Sequence, residues 1–256
     1  MDAPLVIARK PRIIGHRGAC GHAPENTLAS SVKAAERGAE WVEFDCMLTG
    51  DGVPVLFHDD KLKRTTGAPG VVGDTSFAVM AALDAGAWFA PEFAGEPVPS
   101  LEAALRRLGD RGLGLGATPE IKPCKGFEAE TGAAVAATVA RFWPAHLPPP
   151  LLASFSLPAL EAARTVAPQI ARSLLCRPIP DDWRDIVAAI GAVGIHCQEN
   201  HLTAGQVAEV KAAGLALWVY TVEDAARALM LFDWGVDAVI TAYPDRIAAA
   251  LGRRQG

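Results

Sequence analysis

Two histidines stand early in the chain, His16 and His58, each just past a short apolar run. Between them the segment WVEFDCML sets Glu43 and Asp45 two residues apart. Imidazole titrates close to neutral pH, so two histidines suit cleavage of a P–O bond. One takes a proton from the attacking hydroxyl while the other gives one to the leaving alkoxide. If WVEFDCML is a strand, both carboxylates point one way and Val42, Phe44 and Cys46 the other. Two acids on one face of an apolar strand repel each other and are costly to bury unpaired. A divalent cation held by oxygen ligands removes both penalties, whereas pairing with Lys or Arg is the structural alternative. Glu120 adds a third carboxylate, with Lys122 two residues further on and on the same face. Three carboxylates suit Mg²⁺ or Ca²⁺ better than zinc. Arg17 can fork onto phosphate oxygens, and Lys122 can add a point charge beside them.

The elements that must position these residues alternate between short β-rich runs and amphipathic helices, as in a parallel sheet with crossover helices. Eight strands are expected at 12–15, 41–47, 116–121, 151–155, 170–175, 193–197, 215–221 and 237–241, enough to close a (β/α)8 barrel. The first helix follows PENT, with Asn26 as its N-cap and Leu28, Val32 and Ala35 as apolar positions. A DG turn at Asp51 and Gly52 leads into VPVLF, a hairpin partner of the second strand. Ser100 caps a helix that Gly109 ends, and further helices start at Leu157, near Trp183, and at Thr203, Glu223 and Pro244. From residue 59 to 99 the period is lost, apart from a short helical piece around 77–83, and Gly and Pro are frequent. A stretch of this length is usually functional, and after a barrel strand it lies at the active-site face. We therefore expect one domain, residues 1–256, with a small cap insertion at 59–99. The cap aromatics Trp88, Phe89 and Phe93 either meet substrate or pack the cap on the barrel. His16, Arg17, Glu43, Asp45, His58, Glu120 and Lys122 all fall at C-terminal ends of presumed strands, where barrels collect reacting groups. His22, in the first loop, is read as a residue without a chemical role.

HRG, PENT, EFD, DG and HDDKLKRTT, followed by PEIKP, VYTV and GVDAVIT, occur in that order. This ordered set resembles the glycerophosphodiester phosphodiesterase family, bacterial cytosolic type, over nearly the whole chain. The resemblance implies a (β/α)8 TIM barrel that hydrolyses glycerophosphodiesters, such as glycerophosphocholine and glycerophosphoethanolamine, to sn-glycerol 3-phosphate and an alcohol. It implies one divalent cation on Glu43, Asp45 and Glu120, His16 and His58 as the acid–base pair, and Tyr220 lining the pocket. Which histidine is the base, and whether water or the substrate's own hydroxyl attacks, stays open. Glu25 is expected to support the site from beside it, and Trp218 to fill the barrel. Two positions depart from the family pattern: Glu223 stands where Asn is usual, and Ala242 where Asp is usual.

The chain has 256 residues, half of them hydrophobic, which suits one barrel with a sizeable core. A net charge of −5 argues against a nucleic-acid surface. Any phosphate binding must then come from a local metal or Arg. No apolar run nears the roughly 20 residues of a membrane span, the first residues lack a signal-peptide pattern, and the five scattered cysteines show no CxxC spacing. A cytoplasmic enzyme of a small soluble substrate is expected, without stable membrane association. The outer helical ring leaves room for a homodimer contact. The rival readings are a lysophospholipid- or phosphoinositide-cleaving phosphodiesterase, which would need an apolar or basic cap rim, and a barrel that binds such esters without turnover.

Overall fold

Strand-forming runs rich in Val, Ile, Leu and Trp alternate with Ala-rich helices, and the chain closes into a barrel of eight parallel strands. The computed structural model describes residues 7, 11–110 and 112–255. The barrel strands are β1 (Ile13–Gly15), β2 (Trp41–Leu48), β4 (Gly116–Ile121), β5 (Leu151–Ser154), β6 (Ala171–Cys176), β7 (Gly194–Gln198), β8 (Ala216–Tyr220) and β9 (Ala238–Thr241). Neighbours in the barrel follow chain order, and β1 pairs in parallel with both β9 and β2, closing the ring. A ninth strand, β3 (Pro54–Leu56), turns back antiparallel on the end of β2.

The helices are α1 (Leu28–Glu36), α4 (Leu101–Leu108), α5 (Glu128–Phe142), α6 (Leu157–Val166), α7 (Trp183–Ile190), α8 (Ala204–Ala212), α9 (Ala225–Trp234) and α10 (Pro244–Gln255). Two short ones, α2 (Lys63–Thr66) and α3 (Phe77–Met80), lie between β3 and α4. Ser100 and Thr203 cap α4 and α8 through their hydroxyls, as their positions predict. Asn26 does not cap α1. Thr27 does, in a capping box with Ser30, because Asn26 sits at φ 57 with its amide engaged elsewhere. Likewise α9 starts beyond Glu223 and is capped by Asp224.

Outward residues of the strands, among them Val42, Phe44, Cys46, Ala117 and Leu152, pack under the helices. Inside the barrel, Ile14, Trp41, Leu151, Trp218, Ala238 and Ile240 form the floor. Trp41 and Trp218 meet edge to face with ring centroids 5.5 Å apart. Gly116 leaves the space that Trp41 needs, since a Cβ there would lie 2.3 Å from the indole. Between β3 and α4, Phe57, Leu62, Val72, Met80 and Val98 form a separate cluster with Met47 and Val55, so this segment is anchored on the β2–β3 hairpin. Trp88, Phe89 and Phe93 pack edge-on against one another, and the Trp88 indole donates to the Ala85 carbonyl at 2.8 Å.

Candidate active site

Alternation along β2 turns Glu43 and Asp45 into the barrel while Val42, Phe44 and Cys46 face the helices. Parallel register then sets Glu120 of β4 directly beside Asp45. The three carboxylates are buried, and one ligand atom from each lies within 4.8 Å of the others. Their charges are not evenly balanced. Burial opposes ionisation of Asp45, but the Arg17 and Lys122 cations and the Asn26 amide outweigh it and hold the pKa below the usual range. At Glu43 the Arg17 amide and cation give only partial support. Burial, then repulsion from Asp45 and Glu120, raises its pKa well above normal. Burial and Asp45 likewise push Glu120 up to about 8. Three buried oxygen donors set this close together form a group able to hold a metal ion.

Around this group the loop after β1 is folded tightly. Arg17 sits at φ 48 and Asn26 at φ 57, two left-handed non-glycine residues in one loop. The Arg17 amide donates to Glu43 Oε2 at 2.9 Å, and its Nε lies 3.3 Å from Asp45 Oδ2. Asn26 grips Asp45 twice: its Nδ2 donates to Oδ2 at 2.9 Å, and its Oδ1 accepts the Asp45 amide at 3.0 Å. Gly18, at φ 83, is required where the loop crosses α1, because a Cβ would lie 2.3 Å from Ser30 Oγ. The HRG and PENT motifs are thus one object, a loop that orients the carboxylates.

His16 follows β1 and its amide donates to the Thr241 carbonyl at 2.8 Å. Its Nε2 lies 3.9 Å from Glu43 Oε2 and its Nδ1 3.6 Å from Cys20 Sγ. Packing, then the Arg17 cation, lowers its pKa to about 4, so the ring is neutral. His58 is placed by the β3 turn, where the Phe57 amide donates to the Asp45 carbonyl at 3.1 Å. Its Nδ1 lies 2.6 Å from Asp59 Oδ1. A carboxylate partner makes Nδ1 the donor and leaves Nε2 for a reacting group.

All eight proposed residues line one cavity of about 420 Å³: His16, Arg17, Glu43, Asp45, His58, Glu120, Lys122 and Tyr220. Tyr220 donates its hydroxyl to the Cys176 carbonyl at 2.7 Å and presents its ring to Phe155. Among the described residues lining this cavity, none is Trp88, Phe89 or Phe93, whose rings are spent on each other. His22 also stays outside, bonded to Asp245 at 2.8 Å. Glu25 accepts Arg17 Nη1 at 2.7 Å. The two departures, Glu223 and Ala242, meet: Glu223 Oε1 accepts the Ala242 amide at 3.1 Å, and its Oε2 the Thr241 hydroxyl at 3.3 Å.

The far wall is formed by residues that the sequence reading passed over: Phe155, Arg177, His196, Gln198 and Glu199. Their strand-end positions were a usable signal for all but His196. That ring is buried, stacks on Trp218 at 4.6 Å, and is held neutral by burial, with a pKa of about 3.

The glycerophosphoryl diester phosphodiesterase family model matches residues 16–246. The chain belongs to this family. It is a phosphoric diester hydrolase, and the carboxylates, histidines and loop described above lie within the matched span. A phosphodiesterase from Oleispira antarctica, solved in complex with the product sn-glycerol-3-phosphate, superposes with a TM-score of 0.91 at 40% identity, covering 95% of this chain and 97% of that one. The glycerophosphodiester phosphodiesterase of Bacillus subtilis is 31% identical over 247 residues, 91% of this chain and 83% of its own length. The crystal structure of glycerophosphodiester phosphodiesterase from Agrobacterium tumefaciens aligns with a TM-score of 0.78 at 31% identity, over 93% of this chain and 99% of that one.

Proposed function

We propose that this enzyme hydrolyses small glycerophosphodiesters, such as glycerophosphocholine and glycerophosphoethanolamine, to sn-glycerol 3-phosphate and an alcohol. The observation that carries this reading is the meeting of three buried carboxylates and two histidines at one barrel mouth. Glu43, Asp45 and Glu120 would hold one Mg²⁺ or Ca²⁺, since every donor is a hard oxygen. When bound, such a cation supplies Lewis-acid polarisation of a phosphoryl oxygen. The protein's own residues do the rest. Arg17 commits Nη1 to Glu25 and rests Nε against Asp45, which leaves donors of its fork for a phosphate oxygen. Lys122, 3.4 Å from Asp45, adds a second cation on the same side. His16, neutral beside Arg17, is suited to accept the proton of the attacking hydroxyl. His58, backed by the Asp59 carboxylate, is suited to carry a proton and deliver it to the leaving alkoxide. Tyr220 bounds the pocket.

The segment 59–99 would act as a cap on the same domain, holding His58 through Asp59 rather than meeting substrate through its aromatics. Five unpaired cysteines support a reducing, cytoplasmic setting, and among the described residues no helix is long and apolar enough to cross a membrane.

The test is turnover by metal-stripped protein, with Mg²⁺ or Ca²⁺ restored and released sn-glycerol 3-phosphate coupled to its dehydrogenase. Metal-restored activity that falls by about 10²–10⁴-fold in His16→Ala and His58→Ala is expected. Tight binding of diesters without turnover would instead mean a binding protein, and turnover of lysophospholipids alone would overturn the substrate class.

A further inference from the structure

We propose that Arg64, on the short helix α2, is a positioning residue that ties His58 and Arg17 into one rigid frame across the cavity mouth. The inference rests on His58 and Arg17 acting as described above. The guanidinium grips two carboxylates at once. Its Nε and Nη2 donate to Asp59 Oδ2 and Oδ1 at 2.6 and 3.1 Å. Its Nη1 and Nη2 donate to Glu25 Oε2 and Oε1 at 2.8 and 2.7 Å. Each carboxylate then holds a side chain of the site: Asp59 holds His58 Nδ1 at 2.6 Å, and Glu25 holds Arg17 Nη1 at 2.7 Å. Arg17 reaches on to Asp45. One continuous chain therefore runs from His58 through Asp59, Arg64, Glu25 and Arg17 to Asp45.

The ordinary alternative is a solvent-exposed ion pair, which contributes little to stability. Arg64 is 43% exposed, but its partner Glu25 is only 11% exposed, and both pairings are two-pronged, which fixes orientation as well as distance. The base of the side chain is also held. Leu62, two residues before Arg64, is buried in the cluster with Val72 and Met80, and the Thr66 and Gly67 amides donate to the Leu62 and Lys63 carbonyls. A fixed helix thus presents a planar fork between two loops whose carboxylates are 34 positions apart in sequence (Glu25 and Asp59). A lysine, with one point-like ammonium, cannot grip both carboxylates bidentately.

Displacing a catalytic group by about 1 Å costs on the order of 100-fold in rate. Arg64→Ala is therefore expected to lower kcat by about 10- to 100-fold, with KM changed far less. Arg64→Lys should recover little of it. In substrate-free protein at alkaline pH, ¹⁵N NMR of His58 should show the Nδ1–H tautomer in the wild type and a mixture in Arg64→Ala. Wild-type kcat in Arg64→Ala, full recovery in Arg64→Lys, or an unchanged His58 tautomer would each overturn the proposal. Should Arg64→Ala fail to fold, Arg64→Lys carries the same kinetic and NMR readings. A wild-type protein without any turnover would defeat the functional reading, while the tautomer measurement would still decide the role of Arg64.

Discussion

Adding Mg²⁺ to metal-free protein near neutral pH is expected to expel about one proton or more per ion. The ligand atoms of Glu43, Asp45 and Glu120 lie within 4.8 Å of one another. At that spacing, with an effective dielectric of about 20, two carboxylate charges repel by about 3.5 kcal/mol, enough to move a carboxyl pKa by about 2.5. Burial adds to the effect at Glu43 and Glu120, whereas Arg17 and Lys122 offset it at Asp45. Glu120, at about 8, therefore carries a proton in most molecules of the metal-free site at neutral pH, and Glu43 is shifted in the same direction by burial and by its two neighbours. A cation must displace such protons, because only the ionised carboxylate is a good ligand. Titration calorimetry in buffers of different ionisation enthalpy counts the protons directly. Affinity should rise by about 10-fold or more per pH unit on the acid side of neutrality. A buffer-independent enthalpy with a flat affinity profile would refute the reasoning. It would mean that Arg17 and Lys122 already keep all three carboxylates ionised in the metal-free site.

The same charges set the stability of the metal-free protein. The folded-state pKa of Glu120 is raised from 4.5 to about 8, so the folded state binds more protons than the unfolded chain between those values, and stability falls as pH rises through that window. The melting temperature in chelator should drop across it and Mg²⁺ should flatten the slope; a melting temperature that climbs in chelator would contradict the assignment. Asn26→Asp replaces the donor to Asp45 Oδ2 with a like charge while tolerating the left-handed backbone. Its expected cost is about 2 kcal/mol, read from urea unfolding of metal-free protein, and a wild-type midpoint would show that the amide bridge carries no stability.

Much of the site was legible because local rules wrote it. Period-two alternation put Glu43 and Asp45 on one face whatever the strand paired with, and His16 and His58 fell at strand ends by chain position alone. Ser100 and Thr203 announced helix starts through hydroxyl capping, which needs only the next three residues. Asn26 misled for the same reason. It has the composition of an N-cap, but its amide is taken by Asp45, 19 residues away, and the cap passed to Thr27.

The sequence by itself therefore determined the eight strand–helix units, the mouth at which they deliver charge, and the acids and histidines that gather there. Tertiary structure decided what depends on register and closure. Pairing of β2 with β4 placed Glu120 beside Asp45 rather than one step up or down, and a slip of one residue would have turned it out of the barrel. Closure brought β5, β6 and β7 around to supply Phe155, Arg177 and His196 as the far wall. It also set Glu223 against Ala242, so that two departures from the family pattern became one hydrogen-bonded contact. Trp88, Phe89 and Phe93 turned to each other, and Arg64 found Glu25 across 39 residues. No local period encodes such meetings, because they follow from the shape of the closed barrel and not from the order of its residues.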